Sequence, residues 1–220
     1  MLEGLLLDFG SVVFKSPFEQ LGRLERELGL APGTIRRHGP FDPAGDAPWQ
    51  EMLAGEITER EYWADFAAEV GLLVGEDWNV LKFISVLAGG PEEEFIRPEA
   101  LALVDDARKA GIPTGILTNE LELFHGREWM ARITILAVVD VIVDASVTGI
   151  LKPDPASYHM AVDRLGCDPG KTVFVDDQPH NVAGAVAAGL IAIHLDITDP
   201  SPAFDETRVR LGLTERIPQG

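Results

Sequence analysis

Three short apolar runs in this 220-residue chain each stop at a carboxylate or a hydroxyl, and this pattern restricts the fold more than any other feature. Leu5-Leu6-Leu7 ends at Asp8, Thr114 to Leu117 ends at Thr118-Asn119, and Thr172 to Val175 ends at Asp176-Asp177. Runs this short that are apolar on both sides of the pleat belong to parallel strands covered by helices on both faces. Val138 to Val143 and Ile191 to Leu195 have the same character and bring the expected strands to five. Amphipathic segments separate the later runs. Pro98 precedes a helical pattern from Glu99 to Ala110, with Leu101 and Val104 on one face and Gly111 as its stop. Another runs from about Pro155 to Leu165, with Tyr158, Val162 and Leu165 at helical spacing before Gly166. A third is expected to start at an Asn181 N-cap and stop at Gly189. Alternation of this kind predicts an α/β protein with a doubly wound parallel sheet.

The stretch from Pro17 to Phe95 has a different texture. It holds no convincing strand, but Phe18, Leu21, Leu24 and Leu28, then Tyr62, Phe66 and Val70, recur at helical spacing, and Pro40 to Pro48 reads as a loop. The expected organisation is a core built from residues 1–15 and 97–220, with an all-helical cap, residues 16–96, inserted after the first strand.

With 46% hydrophobic and 25% charged residues, the chain has enough apolar mass for its own core. Eighteen basic against 36 acidic residues leave a net charge of −18, which repels phosphate backbones and anionic membranes, so neither nucleic acid nor a membrane is expected as a partner. The single cysteine, Cys167, cannot close an internal disulfide and reads as a small buried apolar residue. MLEGLLLDFGSVV has no basic segment and meets Asp8 after a short apolar run, unlike a signal peptide or a membrane span, and the expected location is cytoplasmic. Oligomeric state leaves no mark in the sequence.

In open α/β sheets, ligands bind outside the carboxyl ends of the strands, so Asp8, Thr118 and Asp176-Asp177 are expected to converge there. Lys152, in the loop Gly149-Ile150-Leu151-Lys152-Pro153, is a fourth element. Singly, each has an ordinary explanation: a turn acid, a strand-end threonine, a solvated acidic pair, a common Lys-Pro loop. Together, clustered carboxylates repel one another unless a cation sits among them, and a hard ion with oxygen ligands, most simply Mg²⁺, resolves the conflict.

The same residues resemble the four short motifs of the haloacid dehalogenase-like (HAD) hydrolase superfamily, in order: Asp8-Phe9-Gly10-Ser11-Val12-Val13, Ile116-Leu117-Thr118-Asn119, Lys152-Pro153, and Val173-Phe174-Val175-Asp176-Asp177 with Asn181. Within it the chain looks most like the branch of the epoxide hydrolase N-terminal phosphatase domain and small sugar-phosphate phosphatases. The resemblance implies a Rossmann-like core and a phosphatase acting on a small phosphorylated metabolite. It implies Asp8 as nucleophile, Mg²⁺ held by Asp8, the Gly10 carbonyl and Asp177, and phosphate bound by Thr118, Asn119 and Lys152. Asp176 would orient the lysine or a metal-bound water. Gly10 departs from the pattern, since phosphatases of the family usually carry an Asp there that protonates the leaving group, a contribution of about 10²- to 10⁴-fold. Two other readings stay open: a 2-haloacid dehalogenase, which Gly10 and the intact acidic pair oppose, and a catalytically weak phosphate-binding relative. Asn119 and Asn181 read equally well as loop braces. His180 is expected at the surface, and Trp49, Met52 and Tyr62 in the core of the cap. Glu92-Glu93-Glu94 reads as a solvated turn.

Overall fold

The computed structural model describes residues 2–213. The chain divides into two compact units, one taking the residues up to Lys15 and those from Ile96 onward, the other Ser16–Phe95. In the first, five strands form one parallel sheet: β1 (Gly4–Leu7), β2 (Thr114–Thr118), β3 (Val141–Asp144), β4 (Thr172–Asp176) and β5 (Ile191–His194). Their order, β3-β2-β1-β4-β5, puts β1 at the centre, where the winding reverses between β2 and β4. Leu7 is level with Ile116 on one side and Val175 on the other, so Asp8 emerges at the switch point between two strand ends.

Helices α1 (Leu21–Glu27), α2 (Ala47–Leu53), α3 (Glu59–Leu73), α4 (Val80–Leu87) and α5 (Glu92–Phe95) belong to the inserted unit. The sheet unit holds α6 (Pro98–Lys109), α7 (Leu121–His125), α8 (Arg127–Met130), α9 (Thr134–Val138), α10 (Ala145–Thr148), α11 (Pro155–Leu165), α12 (Pro179–Ala187) and α13 (Ser201–Arg210). Every residue of β1, β2 and β4 is buried, as strands sandwiched between helices require. Leu6, Leu117, Val143 and Phe174 share a core with Tyr158 and Val162 of α11 and Ala185 of α12. The ends of α11 follow its sequence: the Asp154 side chain accepts the Ala156 N–H, Pro155 opens the helix, and Gly166 closes it in the left-handed region at φ 71°.

Three local expectations are corrected. The run from Val138 does not start a strand: Val138 ends α9, and β3 begins at Val141, because Asp140 intervenes and ties the strand's start to β2 through both its N–H and its carboxylate. Asn181 is not an N-cap. Pro179, whose fixed φ suits the first helical position, starts α12 two residues earlier, and Asn181 turns its amide inward. Cys167 lies half-buried rather than in the core, its Sγ 3.3 Å from the Glu3 carbonyl oxygen.

The inserted unit contains no strand among its residues. Its helices are fixed at their starts by Ser16 with Glu19 and by Thr58 with Glu61, each pair satisfying two backbone donors reciprocally. Phe18, Tyr62, Phe66 and Phe83 fill its core, while Trp49 and Met52 are half-buried. Residues 40–48 are more ordered than a plain loop: two short 3₁₀ turns lead into α2, and buried Asp46 accepts the Gly39 and Trp49 N–H groups and the Tyr62 hydroxyl at 2.8–3.0 Å. No helix among the described residues is long and apolar enough to cross a membrane.

Candidate active site

β1 is followed at once by Asp8, and the Asp8 N–H continues the ladder by donating to the Val175 carbonyl at 2.9 Å. This backbone bond sets the carboxylate at the rim shared with β4. The residue is buried, and its Oδ1 accepts both the Phe9 N–H at 2.7 Å and the Lys152 ammonium at 2.8 Å. Oδ2 accepts no hydrogen bond among the described residues.

Lys152 enters from the loop before α11 with its Nζ 2.6 Å from Asp176 Oδ2, so one buried ammonium bridges the carboxylates that end β1 and β4. Its position is set through its backbone: the Asn119 side-chain amide donates to the Lys152 carbonyl at 3.2 Å and accepts the Lys152 N–H at 2.8 Å. The Asn119 amide therefore braces the lysine loop against the end of β2. The ammonium also lies 5.4 Å from the centre of the Phe174 ring.

Asp176 is fully buried and heavily bonded, taking the Gln178 N–H on Oδ1 at 2.8 Å and the Asn181 amide across both oxygens at 3.2 Å. Asn181 is in turn held by Tyr158, whose hydroxyl donates to the Asn181 carbonyl at 2.8 Å. Asp177, next in sequence, is half-buried, and His194 Nε2 at the end of β5 lies 2.9 Å from its carbonyl oxygen. One carboxylate oxygen from each of Asp8, Asp176 and Asp177 lies within 4.8 Å of the others. Three oxygen donors at this spacing are the hard, anionic set that suits Mg²⁺. Thr118 closes β2, is buried, and has no hydrogen-bond partner for its hydroxyl among the described residues.

Burial works against charge on Asp8 and, with the nearby Asp176 charge, outweighs the attraction of Lys152, raising the Asp8 carboxyl to about 7. Burial also disfavours the Lys152 ammonium, but Asp8 and Asp176 prevail and hold its proton more tightly than in water. One cation among three acids leaves a surplus of negative charge, which a bound divalent ion would neutralise.

Beyond Asp8 the backbone turns sharply. The Val12 N–H closes a three-residue turn on the Gly10 carbonyl at 2.7 Å, with Ser11 at φ 58°, a left-handed conformation that costs a non-glycine residue roughly 1–3 kcal/mol. Gly10 itself is exposed and does not adopt positive φ, and a Cβ added there would meet no atom within 4 Å. The missing side chain thus leaves open space, and no other group of the described residues fills it. His180 is exposed, away from these contacts. The sequence marks Tyr158 only as part of an apolar helix face and does not single out Arg97 or Asp144, whose carboxylate fastens the start of α7 through the Glu122 N–H at 2.6 Å and of α10 through the Ser146 N–H at 2.9 Å. For Asp144 a signal existed, since it ends β3 as Asp176 ends β4.

A buried carboxylate after the central strand, an ammonium between two acids and a third acid alongside meet at the switch point of the doubly wound sheet. The chain belongs to the haloacid dehalogenase-like hydrolases, matching that family over residues 18–189. The match begins after Asp8, so the first strand's part in the site stands on geometry. The chain is 27% identical over 209 residues to acyl-CoA dehydrogenase family member 10 of Mus musculus, covering 94% of this chain but only 19% of that much longer protein. It is 29% identical over 207 residues to phosphoserine phosphatase of Thermus thermophilus, covering 84% of this chain and 82% of the relative. It is equally 29% identical, over 226 residues, to (S)-2-haloacid dehalogenase 1 of Pseudomonas sp. strain CBS-3, covering 98% and 92%. Among solved structures, magnesium-bound YfnB of Bacillus subtilis shares the fold, with a TM-score of 0.62 at 16% identity over 88% of this chain and 86% of that one.

Proposed function

We propose that the protein is a Mg²⁺-dependent phosphatase of small phosphorylated metabolites, with Asp8 as the nucleophile. The observation that carries this reading is the buried Asp8–Lys152–Asp176 bridge with Asp177 beside it: the lysine offers a cation for phosphoryl charge, and the acids offer a nucleophile and a place for a divalent ion. Asp8 Oδ2, the oxygen left free, attacks phosphorus while the bond to the leaving oxygen breaks, giving an aspartyl-phosphate. Water then attacks that phosphorus and returns Asp8 and inorganic phosphate. The Thr118 hydroxyl donates to a phosphoryl oxygen, and Lys152 supplies a fixed positive charge between nucleophile and phosphate. Asp176 keeps the lysine in place, and Asn119 holds its backbone. Asp8, the Gly10 carbonyl and Asp177 are the groups that would hold Mg²⁺, which when bound offsets phosphoryl charge.

The open space at Gly10 narrows the substrates. With no carboxylate there to protonate a departing alkoxide, the site favours phosphates whose leaving group needs no proton, such as acyl or anomeric phosphates. A second reading, hydrolysis of a carbon–halogen bond by the same Asp8, is kept open by the dehalogenase relative. Phosphate release from a panel of acyl, sugar, aryl and alkyl phosphates, with Mg²⁺ and with EDTA, and halide release from 2-haloacids in parallel, test both. Mg²⁺-dependent phosphate release supports the proposal. Metal-independent halide release replaces it with the second reading. Neither product would leave a phosphate-binding protein without turnover.

A further inference from the structure

We propose that Arg97 is a positioning residue for the turn after the nucleophile, fixing the backbone that carries the Gly10 carbonyl, two residues past Asp8. The inference rests on the metal-dependent reading above. Arg97 is 3% exposed and sits where the chain re-enters the sheet unit, immediately before α6. Three consecutive carbonyls of the nucleophile turn accept from this one residue. Its Nη2 donates to Ser11 at 2.9 Å, its Nε donates to Val12 at 3.2 Å, and its backbone N–H donates to Val13 at 2.8 Å. An antiparallel bridge between Phe14 and Ile96 extends the same seam.

The need for such a clamp follows from the turn. Ser11 holds a left-handed φ that an L-residue leaves when its surroundings allow, so the conformation persists only if it is over-determined. Gly10 cannot help, because it has no side chain and open space where one would be. The guanidinium, a planar fork with fixed donor directions, grips adjacent carbonyls in a way that a lysine's point charge cannot. The Ser11 and Val12 carbonyls point to Arg97, and the Val12 N–H points back to Gly10, which leaves the second lone pair of the Gly10 carbonyl available in a fixed direction. Nothing in the sequence near Arg97 marks this role, since its partners lie 85 and 86 residues earlier.

The test uses the full chain as wild type, Arg97→Lys and Arg97→Met. Mg²⁺ affinity is read from the rise in melting temperature across a Mg²⁺ titration, without substrate, and kcat and KM are then read with nitrophenyl phosphate at saturating Mg²⁺. The expected result is Mg²⁺ binding weaker by about 10-fold or more in the Met variant, a comparable fall in kcat, little change in KM, and intermediate values for Lys, as for residues that orient metal ligands from behind. Lower melting temperatures with unchanged Mg²⁺ affinity and kcat overturn the proposal, because Arg97 would then serve folding alone. Hydrogen exchange on metal-free wild type covers the case in which the variants do not fold: rapid exchange at Val12, Val13 and Phe14 overturns the clamp, and core-like protection supports it. A Mg²⁺ shift that weakens in the variants without any phosphate release sinks the phosphatase reading but not Arg97. A wild type with no Mg²⁺ shift sinks the metal reading and Arg97 with it.

Discussion

Lys152 holds its charge in a buried position only because two carboxylates face it, and such a bridge is a poor device for stability, since well-packed apolar groups would serve as well or better. Its presence at the ends of β1 and β4 is therefore an argument for chemistry. In the proposed phosphatase, Gly10 limits protonation of the leaving group. Rates in the wild type are expected to depend steeply on leaving-group acidity. Gly10→Asp, which has room and an ordinary φ to adopt, should speed alkyl phosphates by up to roughly 10²-fold and leave nitrophenyl phosphate nearly unchanged. A flat dependence in the wild type would show that another group already supplies the proton. His125 makes a different prediction. It stacks on Trp129 with ring centres 4.1 Å apart, touches Phe9 and Phe14, and is held neutral, burial having pushed its pKa down to about 4. The unfolded chain takes up the proton below its ordinary value of 6.5, so the stability that neutral His125 contributes is complete above that pH and is lost as pH falls through the interval to about 4, by up to about 3 kcal/mol. Melting temperatures at about pH 7 and about pH 5 should therefore differ less in His125→Phe than in the wild type. Equal acid sensitivity would mean that His125 is not the titrating group.

Among the elements, α12 packs closely against the lysine loop. Gly184 on this helix lies so close to the chain that a Cβ would come within 2.7 Å of Pro153 Cβ and 3.0 Å of the Tyr158 hydroxyl. Gly184→Ala is therefore expected to push Pro153 and its neighbour Lys152 away, lowering stability by about 1–3 kcal/mol and activity more than melting temperature alone would explain. Full activity in the variant, measured well below its melting point, would show that the loop is not held from α12. The strand ends are legible in the sequence because the middle of a buried parallel strand is apolar, so a polar residue closing such a run stands out: Asp8 just past β1, and Thr118 and Asp176 as the last residues of β2 and β4. Helix starts are less legible. Asn181 has the chemistry of an N-cap, but Pro179 starts α12 earlier, and an apolar β-branched run at Val138 fits helix and strand alike. The braces are invisible in sequence: Asn119 reaches Lys152 across 33 residues and Arg97 reaches Val12 across 85, and only the folded backbone brings them together.

On the scale of the molecule, a net charge of −18 and a concentrated acidic site both favour Mg²⁺, by different routes. Diffuse screening depends on ionic strength, whereas a site saturates and stabilises by about 2.7 kcal/mol at one hundred times its dissociation constant. Millimolar Mg²⁺ is accordingly expected to raise the melting temperature over EDTA, and a sodium salt at matched ionic strength to do so much less. Equal shifts would reduce the metal to a screening ion. The parallel sheet itself follows from the apolar runs, while its strand order, which sets Asp8 between β2 and β4, follows from how the crossovers pack and is not written in any one segment. The account turns on Asp8 forming a covalent bond to phosphorus. The most direct measurement is peptide mass mapping after the enzyme, turning over acetyl phosphate or nitrophenyl phosphate with Mg²⁺, is quenched in acid. The predicted result is one phosphoryl group on the peptide that contains Asp8, lost on treatment with hydroxylamine and absent from Asp8→Asn, which also fails to turn over. Steady turnover by Asp8→Asn, or a phosphoryl group carried by any other residue, would contradict it.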